Sequence, residues 1–274
     1  MLQKVAFQGE RGAYSEAAAV EYFGPNIEPV PCESFEDIFE RVTSGQVESG
    51  IIPVENSLAG SIHRNYDLLL RYNLSIVGEV QLRIAHQLMV LPGVKAEQIK
   101  RICSHPQGLA QCEGSITRHF PHVERVSAYD TAGSAKMLRE EAMTNAAAIA
   151  SRRAAEIYKM DIIHPDFEDN PENYTRFLII SREAIEPEGE AKTSIVYAMD
   201  NAPGALFKSM AVFALRDIDL TKIESRPLQG KRWQYFFYLD FIGSQHQSHC
   251  HNALNNLQET TSYLRVLGSY PRNV

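Results

Sequence analysis

Cysteine, tryptophan and surplus positive charge are all scarce in this chain of 274 residues. The four cysteines, Cys32, Cys103, Cys112 and Cys250, are scattered and form no Cys-x-x-Cys pair. That argues against a zinc or redox-disulfide centre and for reduced thiols. Lys and Arg number 27 against 34 Asp and Glu, a formal net charge of −7, and no long basic run occurs. A general affinity for nucleic acid or an anionic membrane surface is therefore not expected, and any anionic ligand must be captured locally. No apolar run approaches the length of a membrane span. The opening MLQKVAFQGE lacks the apolar core of a signal peptide, so the sequence reads as that of a cytoplasmic protein. A Walker loop, a Gly-x-Gly-x-x-Gly turn and a Gly-x-Ser-x-Gly elbow are also missing. HQSHCHNAL (246–254) does hold three histidines and a cysteine, but their spacing fits no zinc pattern and they open an amphipathic helix. No metal is expected.

What is present is the composition of a soluble globular protein, 44% hydrophobic and 22% charged. The first 180 or so residues alternate short apolar strands with amphipathic helices, the pattern of an α/β sheet covered on both faces. KVAFQG, GIIPV, SIVGEV, RICSH, VERVSAY, AAAIA and FLIIS read as strands. In SFEDIFERVTSG, Ser34 stands three residues before Asp37 as a cap, and Phe35, Ile38, Phe39 and Val42 share one helical face. PQGLAQCEGSITRHF, TAGSAKMLREE and SRRAAEIYKM read as further helices. The acidic, Pro- and Gly-containing stretch SREAIEPEGEAKTS (181–194) then reads as an interdomain linker. Beyond it the order is strand, helix, strand, strand, helix, strand, the ferredoxin-like βαββαβ arrangement.

Several strand ends carry polar clusters. FQGERGAYSEAAA (7–19) passes from strand through a Gly-flanked turn into a helix, either a structural turn or a cradle for an anion. IIPVENSLAGSIHRN (51–65) places Glu55, Asn56, Ser57 and Ser61 where ligands of open α/β sheets sit, although a helix-capping loop explains them equally well. SHPQG (104–108) has Pro106 at a plausible first helical position, and YDTAGSAK (129–136) offers Thr131 and Ser134. NYTRFLII (173–180) sets Thr175, Arg176 and Phe177 at the mouth of an apolar strand. A guanidinium there needs an anionic partner, either a ligand carboxylate or one of Asp166, Glu168, Asp169 and Glu172 just upstream. Phe177 is most simply core.

Taken in order and at their separations, PVENSLAG, SHPQG, NYTRF, GALF and ESRP closely resemble prephenate dehydratase with its C-terminal ACT regulatory domain, from FQGERGAYSEAA to VLGSYP. The resemblance implies a cofactor-free lyase that converts prephenate to phenylpyruvate, with loss of carbon dioxide and water, in phenylalanine biosynthesis. It implies a two-lobed catalytic domain like the type II periplasmic binding proteins at 1–182, lobe one being 1–79 and 165–182 and lobe two 80–164. A linker at 183–192 and an ACT domain at 193–274 follow. The catalytic positions that match are Thr175, Asn56 and Gln107, with Arg176, Phe177, Ser57 and Thr131 toward substrate. The family's phenylalanine site maps onto Gly204, Ala205, Leu206, Phe207, Glu224, Ser225, Arg226 and Pro227, which implies feedback regulation and a homo-oligomer, a dimer or tetramer formed partly through ACT domains. An arogenate dehydratase, or a non-catalytic amino-acid sensor on the same scaffold, are the competing expectations. A bulged edge strand would account for ESRP without a ligand.

Overall fold

The computed structural model describes residues 2–227 and 235–273. Leu228, Trp233 and Gln234, which the sequence assigns to strands, lie outside the described residues.

The first sheet has the order β2-β1-β3-β11-β5, with β4 added to β3. Its strands are β1 (Gln3–Gln8), β2 (Ile27–Cys32), β3 (Ser49–Asn56), β4 (Gly60–Ser61), β5 (Ser75–Arg83) and the late-returning β11 (Tyr174–Ser181). Helices α1 (Tyr14–Phe23), α2 (Phe35–Ser44) and α3 (His63–Arg71) connect the early ones. As expected, Ser34 caps α2 through the Asp37 N–H at 3.2 Å, and Ile38, Phe39 and Val42 are fully or nearly fully buried. Strand β2 was not expected, because Pro29 and Pro31 interrupt it. It is tolerated as the edge strand of the order, beside β1 in parallel register.

The second sheet has the order β10-β6-β9-β7-β8. Its strands are β6 (Gln87–Val90), β7 (Arg101–Ser104), β8 (Glu124–Ser127), β9 (Ala146–Ala150) and β10 (Asp161–His164). The short β6 and β10 carry too little pattern to be read from sequence. Between strands run α4 (Pro106–Gln111), α5 (Glu113–His119), α6 (Thr131–Glu140) and α7 (Arg152–Tyr158). The single helix expected over 106–120 is thus two, broken at Cys112, whose φ of −118° and ψ of 13° leave the helical region. Two antiparallel crossings, near 84–86 and 165–173, join the sheets, with Ile84 N donating to Asn173 O and Phe167 N to His86 O.

Between Ser181 and Ala191 there is no regular element. The last sheet follows, β12 (Ala191–Met199), α8 (Ala205–Ala214), β13 (Leu220–Pro227), β14 (Tyr235–Ile242), α9 (Ser248–Thr260) and β15 (Tyr263–Pro271), in the order β13-β14-β12-β15. This is the ferredoxin-like connectivity. Tyr197, Phe213, Leu239, Phe241, Cys250 and Leu257 fill its core against the helices.

The chain divides into two compact units. One is Met1–Arg41, Gly50–Ile62 and Val80–Phe177, and the other is Val42–Ser49, His63–Glu79 and Leu178–Val274. Within the second unit, α3 packs on the sheet face away from α8 and α9. Tyr238 donates to Tyr66 O, Arg226 pairs with Asp67 at 2.8 Å, and Arg265 binds the carbonyls of Leu69, Tyr72 and Leu74 at the C-terminal end of α3. The buried Lys192–Glu79 pair ties β12 to β5.

Candidate active site

Asn56 ends β3 and Thr175 is the second residue of β11, and these strands are neighbours in the first sheet. The Asn56 Oδ1 accepts from the N–H groups of Leu58 and Ala59 at 3.1 and 2.9 Å, an Asx turn that fixes the amide. Its Nδ2 must therefore point the other way. It donates to Asn173 Oδ1 at 2.7 Å, Thr175 Oγ1 at 3.0 Å and Tyr174 O at 3.1 Å. Both Asn56 and Thr175 are buried, at 6% and 8% exposure. Thr175 Oγ1 is thus an acceptor toward the protein, and its own hydrogen meets no protein acceptor among the described residues. Ser57 does not reach outward: its hydroxyl donates to Glu172 O and accepts from Tyr174 N, both at 2.9 Å. It zips the 56–58 loop to the start of NYTRF.

From the second sheet, α4 begins with Pro106, and His105 Nδ1 accepts from Gln107 N at 3.2 Å. The Gln107 side chain is exposed and has no protein hydrogen bond among the described residues. Thr131 lies against the same helix: a Cβ at Gly108 would come 3.3 Å from Thr131 Cγ2 and 2.7 Å from Ser104 Oγ. The cap of α6 is Asp130 rather than Thr131, through the Gly133 N–H. Gln111, one turn beyond Gln107 and so on the same helix face, was not foreseen. Its Oε1 accepts from His86 Nε2 at 2.8 Å, and His86 Nδ1 meets the Tyr14 hydroxyl at 2.8 Å. Burial lowers the His86 pKa, against opposing pulls from Gln111 and Glu168; the Gln111 Oε1 acceptor at Nε2 places the hydrogen of the neutral ring there. The Gln111 NH2 is left as a donor.

The 9–16 turn is a cradle, but protein carboxylates fill it. Glu10 N donates to Asp130 Oδ2 at 2.7 Å and Gly12 N to Glu16 Oε2 at 2.6 Å. Burial by itself would raise the Glu16 pKa, but hydrogen bonds from Arg11, Gly12 and Arg153 more than offset it and hold the carboxyl below its usual range. The same turn accepts Ser151 Oγ at Gly12 O and Tyr158 OH at Arg11 O, and Lys136 pairs with Glu10 at 3.1 Å. Two helix starts of the second sheet therefore grip the first βα turn. Gly9, at φ +108°, is required there, since a Cβ would sit 2.8 Å from Asp130 Oδ2.

Arg176 is half-buried and engaged within the protein. Three of its four suggested acidic partners have other commitments: Asp166 and Glu168 pair with Arg83, and Asp169 accepts from Gly114 N and Ser115 N. Successive strand residues face opposite sides, so Arg176 leaves β11 away from Thr175. Phe177, at 2% exposure, is core.

In the second unit a cavity of 180 Å³ is lined by Met199–Ala202, Gly204–Phe207, Tyr235 and Phe237. It takes in the GALF residues. Glu224, Ser225, Arg226 and Pro227 do not line it. Glu224 meets His63 Nε2 at 3.1 Å and Arg226 meets Asp67, both on α3. The edge position of β13 fits the edge-strand account of ESRP, but the register shift falls earlier, at Leu220/Lys222, and Glu224–Pro227 pair with β14 without a bulge. Leu206 and Phe207 are exposed, the latter at 76%.

The prephenate dehydratase family model matches residues 5–185. A relative from Arabidopsis thaliana, "Arogenate dehydratase/prephenate dehydratase 2, chloroplastic", is 50% identical over 98% of this chain and 72% of its own length. Among solved structures, prephenate dehydratase in complex with L-Phe from Arthrobacter aurescens superimposes with a TM-score of 0.90 at 33% identity, covering 98% of this chain and 90% of that one. A protein described as "GqqA- a novel type of quorum quenching acylases" gives 0.91 at 33% identity, covering 99% and 98%. The cytoplasmic expectation is overturned. The Arabidopsis relative is named chloroplastic, as are two others from that plant at 48% identity, and the absence of a leader pattern at MLQKVAFQGE carries no weight against those names. With the family model spanning the α/β region and relatives matched over nearly its whole length, the chain belongs to the prephenate dehydratase family of lyases.

Proposed function

We propose that the chain converts prephenate to phenylpyruvate, with Thr175 as the proton donor to the departing hydroxyl. The observation that carries this is the Thr175 hydroxyl, which accepts from Asn56 Nδ2 and so has its own hydrogen available for a ligand. As the C–C bond to the ring carboxylate breaks, its electron pair moves through the ring and expels the hydroxyl. Carbon dioxide leaves, the ring becomes aromatic, and hydroxide takes a proton delivered through Thr175 to become water, solvent restoring the threonine. Such help is worth about 10² to 10⁴ in rate, or roughly 3–5 kcal/mol. Asn56 orients Thr175, and the amide of Gln107 and the NH2 of Gln111, without partners among the described residues, are donors for the substrate. Arg176 leaves β11 on the face opposite Thr175 and is engaged within the protein, so it is not assigned to the substrate, and Thr131 borders the same helix as Gln107. Thr175→Ala should lower kcat by about 10²-fold or more while Thr175→Ser retains much of it. Near wild-type turnover by the alanine variant removes the assignment.

A second substrate reading, arogenate, is favoured by the names of the plant relatives. Side-by-side turnover of the two substrates decides between them. Regulation by phenylalanine draws support from the L-Phe complex of the Arthrobacter relative and from the GALF-lined cavity. The exposed Leu206 and Phe207 suit a second copy of the chain. The domain division at 183–192 belongs to this proposal too. The same assay with and without phenylalanine, alongside sizing, tests it. An acylase activity would need an activated nucleophile. All four cysteines are buried and burial raises their thiol pKa, that of Cys32 to about 12, while Thr175 has no hydrogen-bonded base among the described residues.

A further inference from the structure

Asn173, two residues before Thr175, is fully buried. Its Oδ1 makes the shortest of the three hydrogen bonds from Asn56 Nδ2, at 2.7 Å against 3.0 Å to Thr175 Oγ1 and 3.1 Å to Tyr174 O. An amide NH2 has two hydrogens. With one taken by Asn173, the other is directed at the Tyr174 carbonyl and the Thr175 hydroxyl. The Asn173 Nδ2 is buried with no hydrogen-bond partner among the described residues. Reversing the amide would set its NH2 against the NH2 of Asn56, two donors face to face, so the partnerless orientation is the one the pair enforces. A buried polar group left unsatisfied is costly and is retained where it serves the site. The Asn173 backbone is held as well, its carbonyl accepting from Ile84 N at 2.7 Å. An acceptor fixed at both main chain and side chain therefore sets the Asn56 amide.

We propose that Asn173 is a positioning residue for the elimination: its Oδ1 anchors Asn56 Nδ2 so that the Thr175 oxygen is used as an acceptor and its hydrogen faces the substrate. This rests on the reading of Thr175 given above. The test is a double-mutant cycle on the full chain, with kcat and KM measured for wild type, Thr175→Ala, Asn173→Ala and the double variant. Asn173→Ala is expected to lower kcat about tenfold, with KM changed less than about twofold, since geometry rather than uniform binding is lost. In the Thr175→Ala background the same change should leave kcat unaltered, because the group it positions is gone. A tenfold loss that multiplies fully with that of Thr175→Ala would mark Asn173 as merely structural and overturn the proposal, as would an unchanged kcat in the single variant. If Thr175→Ala alone keeps wild-type turnover, the Thr175 assignment fails instead, a result distinguishable from the other two. Should Asn173→Ala not fold by circular dichroism, Asn173→Asp keeps the acceptor oxygen. Its kcat should stay within about threefold of wild type, and a loss of tenfold or more refutes the anchoring role.

Discussion

Replacing Asp130 by alanine removes two interactions of known geometry at once. One carboxylate oxygen caps α6 through Gly133 N, and the other accepts from Glu10 N at 2.7 Å across to the first βα turn. Loss of an N-cap costs about 1 kcal/mol. Loss of a hydrogen bond to a charged acceptor, with a shielded N–H left behind, costs about 1.5–3 kcal/mol. Asp130 is only 9% exposed, so water does not easily replace it. The sum is about 2.5–4 kcal/mol. Asp130→Ser separates the parts, since a serine hydroxyl can cap α6 but is too short to reach Glu10. It should recover about 1 kcal/mol. Urea midpoints at a common m-value read the stability, and hydrogen exchange of the 7–13 segment reads the second interaction directly. If Asp130→Ala costs less than about 0.5 kcal/mol, or if Asp130→Ser restores full protection at Glu10, then Asp130 does not bind the two halves together and the reasoning is refuted.

Two further perturbations follow from close packing and from burial. Gly268→Ala would place a Cβ 2.0 Å from the carbonyl oxygen of Ile76, a backbone atom that cannot step aside. A loss of about 3 kcal/mol or more is expected in thermal unfolding, and a variant as stable as the wild type would show that β15 and β5 can part freely. Burial holds the His86 pKa below the ordinary histidine value of about 6.5, so below that pH the unfolded chain binds a proton that the folded chain resists. Stability from this group is present above that pH and is lost as pH falls through the folded pKa. The Tyr14, Gln111 and Glu168 side chains face it. His86→Gln should flatten the stability–pH profile just below about pH 6.5, and an unchanged slope there would locate the proton uptake elsewhere.

The strands KVAFQG, GIIPV and AAAIA were legible because burial on both faces writes itself as a continuous apolar run. The cap at Ser34 and the order of the last six elements were legible because local turn chemistry and periodicity suffice for them. Strand β2 was hidden by Pro29 and Pro31, which only an edge position accommodates. The break at Cys112 was hidden too, since nothing in QCEGS forbids a helix. Among candidate site residues, Asn56 and Thr175 were nameable from motif order, but their hydrogen bond joins positions 119 apart in the chain. Ser57 was read as substrate-facing, yet its hydroxyl is consumed by the backbone of 172–174.

Sequence by itself determined much of the repertoire: which long apolar segments form strands, which polar residues stand at their ends, and which family's ordered motifs they spell. Tertiary structure alone decided how each polar group is spent. The carboxylates of Asp130 and Glu16 fill the cradle offered to an anion, Glu224 and Arg226 turn toward α3, and Asn173 fixes the amide that sets the Thr175 hydroxyl. The reason is physical. Apolar patterning is a property of neighbours along the chain, whereas a hydrogen bond depends on distance and angle between groups that only folding brings within 3 Å or so.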